Sequence, residues 1–541
     1  MIRLRDLRLP VATTWEEAER FSPPTGDRYN IATDCLSHPH HSTAIIEAEH
    51  SGDRIISYGE LDRRSANLAA HLRDRGVTPG DRVAIKLSQS IDMAVVVLAT
   101  IRAGGIVVPL SNVLARSGLE HRLADSAPSV LVAADADPVF EAIDDLGAHV
   151  IGDVVRLPVS QVQQISTSGE GRDSLPDTSA DEPALLLYTS GTTGKPKGVL
   201  HGHRVLLGHH AVDLAFDHVR PEDVAYSPVD WTWAGGLMLG LLVPLAHGVT
   251  IVAHREPRFD PAATTELMER TGVSIGLFPP TVLRMLRASG ALGHESVRNT
   301  RLRCFITGAE AVEPELIGWG RELGITINNA YGQTEANALV GHAATLSPEL
   351  DQATMGRPYP GHRIAILDDD LTPITDDAPG QLAVSDDDPV CMLEYWRNPD
   401  ATSAKMRGGW LLTGDTVHRN SDDSLQFHGR SDDIIKSGAY RLGPAEIEAA
   451  VLRHAAVAEC AAIGLPDEIR GEVVAVVVRL GDSRSTDQID DLGDELRDLV
   501  RSHVGAHAYP RVVHVVDALP KTTTNKTDRA ALRRSLLEGT S

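Results

Sequence analysis

Basic charge, cysteine and long apolar runs are all scarce in this sequence. Lys and Arg number 51 against 75 Asp and Glu, a formal net charge of −24. That deficit excludes a nucleic-acid binder whose affinity comes from a basic surface and fits a solvated acidic exterior. The four cysteines, Cys35, Cys304, Cys391 and Cys460, lie far apart and form no Cys-x-x-Cys pair. Reduced thiols in a cytoplasmic protein are therefore expected, not a disulfide framework. No run approaches the ~20 apolar residues of a membrane span, and the first residues, Met1-Ile-Arg-Leu-Arg-Asp6, lack an apolar signal core. No repeat of solenoid length is visible. The 541 residues are 42% hydrophobic and 23% charged. That is a globular composition, with chain enough to bury large cores unaided by staples.

Short β-rich runs alternate with helical segments. Arg82–Leu87, Ile106–Leu110 and Ser129–Ala133 read as strands, with Ile91–Ala103 and Gly118–Ser126 as the helices between them. The same alternation returns in Val273–Phe278, Pro280–Ala288 and Leu302–Thr307. Strand–helix–strand units of this kind predict parallel-rich sheets covered by helices, an α/β fold. In such sheets ligands sit beyond the carboxyl ends of the strands, so the corner at 307–310 is a candidate site edge. Residues 150–180 are polar and read as a surface excursion. Strands Arg363–Leu367 and Gly380–Val384, with Asp-, Pro- and Gly-rich connections, predict a small β unit. A last α+β unit follows, with helix Gly443–Leu452 (Pro at its start), strands Val457–Gly464 and Val473–Leu480, and helix Asp491–His503. The expected domains are 1–431 and a small, mobile 432–541.

The strongest local signal is Leu187-Tyr-Thr-Ser-Gly-Thr-Thr-Gly-Lys-Pro-Lys-Gly-Val-Leu200. An apolar strand runs into a loop whose glycines (Gly191, Gly194 and Gly198) allow backbone conformations closed to other residues. Its successive N–H groups can then cup an anion. Thr189, Ser190, Thr192 and Thr193 add hydroxyls, and Lys195 and Lys197 add positive charge. This is neither a P-loop nor a GxGxxG dinucleotide fingerprint.

The segment resembles the phosphate loop of adenylate-forming enzymes: acyl- and aryl-CoA synthetases, peptide-synthetase adenylation domains and luciferases. Further segments, in the family's order, extend the resemblance over nearly the whole chain. Asn329-Ala-Tyr-Gly-Gln-Thr-Glu335 is similar to the family's YGxTE. The match implies that Tyr331, with Gly332, flanks the adenine, that Thr334 bonds a phosphate oxygen and that Glu335 holds Mg²⁺. Gly308-Ala309-Glu310 resembles the adenine-pocket segment. Gly409-Trp-Leu-Leu-Thr-Gly-Asp415 resembles GW..TGD, implying that Asp415 accepts hydrogen bonds from the ribose. Gly429–Glu446 resembles the domain junction. There Arg430 would contact ribose or phosphate, Asp432 would be the hinge and Arg441 a further phosphate contact. Lys436, Ser437, Gly438, Ala439 and Tyr440 would enter the site for the second half-reaction. Pro520–Arg533 resembles the closing loop, with Lys526 in the place of the catalytic lysine and Asn525 where glycine is usual.

The resemblance implies ATP-dependent activation of a carboxylic acid to an acyl-adenylate, then transfer to CoA. Thr334, Glu335 and Lys526 would be the catalytic groups, with ATP and Mg²⁺ as cofactors. It looks most like medium-chain and aryl acyl-CoA synthetases. Trp233 is the leading candidate to line the acyl pocket, followed by Trp231 and Phe278, although core packing suits each equally. Two alternatives share the motifs. One is a free-standing enzyme that loads a carrier protein in trans. The other is a non-catalytic nucleotide-binding regulator, against which Lys526, Glu335 and Asp415 weigh. His38-Pro-His-His41 and His201-Gly-His203 lack a partner cluster at zinc-like spacing and read as solvated surface or local hydrogen bonding.

Overall fold

The computed structural model describes residues 3–7, 14–19, 26–49, 52–114, 116–169, 175–189, 196–256, 258–310, 312–430, 433, 435–437, 440–467, 471–481, 492–505, 508–521 and 527–538. They fall into two compact units. The larger comprises the chain up to Thr189, Lys197–Arg363 and Val384–Leu411, and the smaller includes Ile364–Ala383 and the chain from Leu412 onward.

The larger unit is built on two sheets. In the first, strands Arg82–Lys86, Ile106–Pro109, Val130–Ala133 and Val155–Pro158 are parallel. Pro183–Tyr188 joins them in parallel through Ile106–Pro109. Gly198–Gly202 and Glu394–Tyr395 extend that edge antiparallel. The second sheet has nine strands. Its parallel centre runs through Cys304–Gly308, Ile275–Leu277, Val224–Tyr226, Thr250–Ala253 and Thr43–Glu47. Thr326–Gln333 pairs in parallel with Cys304–Gly308 and antiparallel with Asn337–Gly341.

Helix Ile91–Arg102 shows why the two sheets share a core. Ser90 caps it, its side chain accepting from the Met93 N–H, and all twelve of its residues are buried. The unbroken apolar run Met93–Ala99 leaves its middle turns no polar face for solvent, so the helix must be enclosed there on every side. Its Val95, Val97 and Leu98 share a core with Val83 and Ile85 of the first sheet and with Ile45, Ile251 and Ile275 of the second. Beyond the second sheet a smaller core gathers Tyr226, Phe278 and Phe305. The Phe278 ring lies 5.7 Å from Tyr226, edge-on, and 4.4 Å from Phe305.

The segment 150–180 is more than a surface excursion. Val155–Pro158 is an edge strand and Val159–Thr167 a helix whose Val162 and Ser166 are fully buried. A polar composition concealed a one-sided apolar stripe.

In the smaller unit, strands Ile364–Leu367, Gly380–Ser385, Trp410–Arg419 and Leu425–Arg430 neighbour one another in that order. A separate sheet pairs Val457–Asp467 antiparallel with Gly471–Leu480, with Val512–Val515 parallel to the latter. Helix Pro444–Val451 packs on it, and Arg529 reaches that helix through Glu448 at 2.7 Å. Among the described residues no helix is long and apolar enough to cross a membrane.

Two predictions follow from this packing. Phe278→Ala should lower the unfolding free energy by about 3–5 kcal/mol, read from denaturant midpoints; a loss below about 1 kcal/mol would remove Phe278 from the core. The second concerns buried imidazoles. Burial pushes His201, His209 and His210 down to about 4 and His203 to about 3. With the folded values below the unfolded 6.5, the unfolded chain takes up protons first as pH falls. Stability is therefore full above pH 6.5 and lost as pH drops towards 4. Melting temperature should fall steeply across that window, and a flat profile there would contradict neutral buried imidazoles.

Candidate active site

The glycine- and hydroxyl-rich loop connects two antiparallel strands, Pro183–Tyr188 and Gly198–Gly202, in which Tyr188 stands opposite Gly198. At its root the Thr189 N–H donates to the Lys197 carbonyl at 3.0 Å. Tyr188 is held by its hydroxyl, which donates to Asp125 at 2.7 Å. Burial, reinforced by that carboxylate, pushes the phenol well above its ordinary value. The Lys197 ammonium lies 5.1 Å from the centre of the Tyr395 ring, a cation–π distance. Ser190, Gly191, Thr192, Thr193, Gly194 and Lys195 lie outside the described residues.

Strand Thr326–Gln333 carries the second segment to the carboxyl edge of the nine-stranded sheet. Tyr331 pairs with Val340 and Gly332 with Ala338. A Cβ at Gly332 would come within 1.6 Å of the Asn337 carbonyl oxygen, so only glycine lets the two strands meet there. Gln333 donates to the Tyr331 hydroxyl at 3.4 Å and accepts from Lys405 at 2.8 Å.

Three bonds fix the turn that follows. His201 Nε2 donates to the Thr334 carbonyl at 2.8 Å. The Met392 N–H donates to the Glu335 carbonyl at 2.8 Å. The Tyr395 hydroxyl donates to Glu335 Oε1 at 2.6 Å. Through them the edge strands of the first sheet grip the end of the second. His201 and His203 are 0% and 2% exposed, which corrects the reading of this pair as solvated or only locally bonded. His201 is pushed down by burial, against the opposing pull of the Thr334 carbonyl and Glu335. Neither His201 nor Tyr395 was marked as functional by sequence. The partners of its ring and hydroxyl, Lys197 and Glu335, lie in segments distant along the chain, and only its place next to Trp396 ahead of the Asn398-capped helix stands out in the sequence.

Glu335 is half-buried, and among the described residues only Tyr395 bonds its carboxylate. One oxygen thus remains for a cation. Among the described residues no group of three or more His, Cys, Asp or Glu could cage a metal. This donor set suits Mg²⁺, which accepts one carboxylate and takes its other ligands from phosphates and water.

The same edge carries the neighbouring candidates. Gly308 pairs with Ala330, and Ala309 adopts a left-handed φ of +69°, rare for a residue with a Cβ. Glu310 accepts from the Thr281 hydroxyl at 2.8 Å and pairs with Arg284 at 3.3 Å. Trp233 is half-buried at the start of helix Ala234–Leu237, beside exposed Gly235. Trp231 is 1% exposed, its indole against Gly240 of a π-helical turn over Met238–Leu242; such turns recur at functional sites. Phe278 is 0% exposed within the aromatic cluster described above. Asp230 spends a carboxylate oxygen on the Thr232 N–H at 3.0 Å.

In the smaller unit, Asp415 and Arg430 face each other across antiparallel strands, at 3.5 Å between Nε and Oδ1. Asp415 is 4% exposed, and its N–H bonds the Thr413 hydroxyl at 3.1 Å. Lys436 pairs with Arg441 and Ser437 with Tyr440 in backbone register, and Ser437 is buried. Asp432, Gly438, Ala439, Asn525 and Lys526 lie outside the described residues.

Comparison with known proteins agrees with this architecture. The family model of AMP-binding enzymes matches residues 32–396, and that of the AMP-binding enzyme C-terminal domain matches residues 446–526. An acyl-CoA ligase of Bacillus subtilis (strain 168), YtcI, itself described as uncharacterized, is 28% identical over 94% of this chain and 96% of its own. The human mitochondrial acyl-coenzyme A synthetase ACSM2A is 29% identical, over 94% and 90%. The crystal structure of ATP-bound MatB from Rhodopseudomonas palustris superposes with a TM-score of 0.82 at 26% identity, covering 94% of this chain and 98% of that one. With the first model spanning well over half of its length, the chain belongs to the AMP-binding, adenylate-forming enzymes, and its relatives include acyl-CoA synthetases.

Proposed function

We propose that this protein is an AMP-forming acid–thiol ligase. It activates a carboxylic acid with ATP, releases pyrophosphate, and passes the acyl group to CoA. The observation that supports the reading most directly is the position of Tyr395. Lys197, from the phosphate loop, sits on its ring, and Glu335 accepts its hydroxyl. The two segments matched to ATP phosphates and to the metal therefore border a single tyrosine.

A carboxylate is a poor electrophile, and its attack on the α-phosphorus of ATP brings two anions together. The loop hydroxyls and the backbone N–H groups of 190–195, with Lys195 and Lys197, would bind the phosphates. Glu335 would hold Mg²⁺, which supplies positive charge against the departing pyrophosphate. Thr334 would bond a phosphate oxygen. Tyr331, Gly332 and Gly308–Glu310 would receive the adenine, and Asp415 the ribose hydroxyls, with Arg430 and Arg441 as ribose or phosphate contacts. Lys526, a compact point charge, would bridge the carboxylate and the α-phosphate. In the second half-reaction the C-terminal domain, 432–541, would turn about Asp432 and replace Lys526 with the Lys436–Tyr440 face, where Gly438 lets the thiol arm pass. Trp233, half-buried at this edge, would line an acyl pocket whose aromatic wall suits a medium-length or aromatic acid, while Trp231 and Phe278, at 1% and 0% exposed, pack in the cores behind it. A cytoplasmic enzyme is the reading that the free thiols favour.

Pyrophosphate release over a panel of carboxylic acids, with CoA or a carrier protein as acceptor, tests the activity. Acid-dependent release followed by thioester on CoA is expected. Thioester on the carrier protein alone would replace the acceptor, and no release with any acid would favour a nucleotide-binding regulator. The division of labour has its own check. Lys526→Ala should depress adenylate formation by at least about 10²-fold yet spare thioester formation from supplied acyl-adenylate. Equal loss of both steps would reject separate roles.

A further inference from the structure

We propose that Tyr395 is a positioning residue for the metal-binding carboxylate, orienting Glu335 so that Oε2 faces the cation; this rests on the role given to Glu335 above. Tyr395 is 5% exposed, so its ring has little freedom. Its backbone is fixed twice: strand Glu394–Tyr395 pairs with Gly198–Gly202, and the Tyr395 N–H donates to the Thr402 hydroxyl at 2.9 Å. From that fixed base its hydroxyl meets Oε1 at 2.6 Å, in the range of a charge-assisted O–H···O⁻ bond.

Such a bond does two things to a carboxylate. It occupies one oxygen, and it holds the carboxyl plane, so the other oxygen presents itself without the entropy cost of finding its orientation. The backbone of Glu335 is independently held by Met392, and that of Thr334 by His201. The hydroxyl of Tyr395 therefore controls the one freedom left, rotation of the side chain. The Lys197 ammonium 5.1 Å from the ring centre draws electron density from the phenol and strengthens it as a donor.

The test is calorimetric titration of the full-length protein with ATP at increasing Mg²⁺, reading the Mg²⁺ concentration at which ATP affinity is half-enhanced. Tyr395→Phe keeps the ring and removes the hydroxyl. It should raise that concentration by about 10–100-fold, the usual penalty for losing an outer-shell partner of a metal ligand, while ATP affinity without Mg²⁺ stays at the wild-type value. Glu335→Gln should raise it at least as far, and adding Tyr395→Phe to Glu335→Gln should shift it no further. If Glu335→Gln moves the Mg²⁺ dependence and Tyr395→Phe does not, the positioning role is overturned and the metal role of Glu335 stands. If Glu335→Gln leaves the dependence unmoved, the metal role falls first. A lowered melting temperature for Tyr395→Phe with an unchanged Mg²⁺ midpoint would make the hydroxyl merely structural and overturn the proposal.

Discussion

The grip of one sheet's edge strands on the end of the other is the constraint from which the candidate site follows. His201, Met392 and Tyr395 supply three hydrogen-bond donors to two consecutive residues, Thr334 and Glu335. Each donor sits in or beside the paired strands Gly198–Gly202 and Glu394–Tyr395. A donor buried at an interface of this kind must find an acceptor or lose the free energy of its hydration, about 1–3 kcal/mol. The two sheets are thereby kept in one register at the point where the glycine- and hydroxyl-rich loop leaves its strand.

That register matters because parallel sheets gather chemistry on one side. Strands at Val224–Tyr226, Ile275–Leu277, Cys304–Gly308 and Thr326–Gln333 all end at the same edge. Trp233, Gly308–Glu310 and Tyr331–Glu335 arrive there from separate parts of the chain. Helix Ile91–Arg102, buried along its whole length in the core that the two sheets share, joins them behind that edge. At the root of the glycine- and hydroxyl-rich loop, the Lys197 ammonium is backed by the aromatic face of Tyr395.

Much of the fold was legible because its signals are local. The strand at Arg82–Lys86, the helix at Ile91–Arg102 and the helix at Pro444–Val451 lie within a residue or two of where periodicity, caps and proline predict them. The segment 150–180 was misread because its polar residues outnumber the few apolar ones, such as Val162, that fix its helix. The histidines at 201 and 203 were misread for a related reason. Imidazole is polar enough to be assigned to the surface, yet His201 is buried with one ring nitrogen bonded to a carbonyl 2.8 Å away, from a residue more than a hundred positions along the chain.

The sequence alone determined the α/β class, the order of the motifs and their resemblance to adenylate-forming enzymes, because loop composition, strand–helix alternation and motif spacing are properties of neighbours along the chain. Only the tertiary structure decided that Tyr395 lies between Lys197 and Glu335, that His201 holds Thr334, and that Phe278 is packed between Tyr226 and Phe305. Those contacts join residues far apart in sequence. A hydrogen bond or ring contact depends on which strands become neighbours, and that is settled by burying apolar faces across the whole fold and leaves no mark in any one segment.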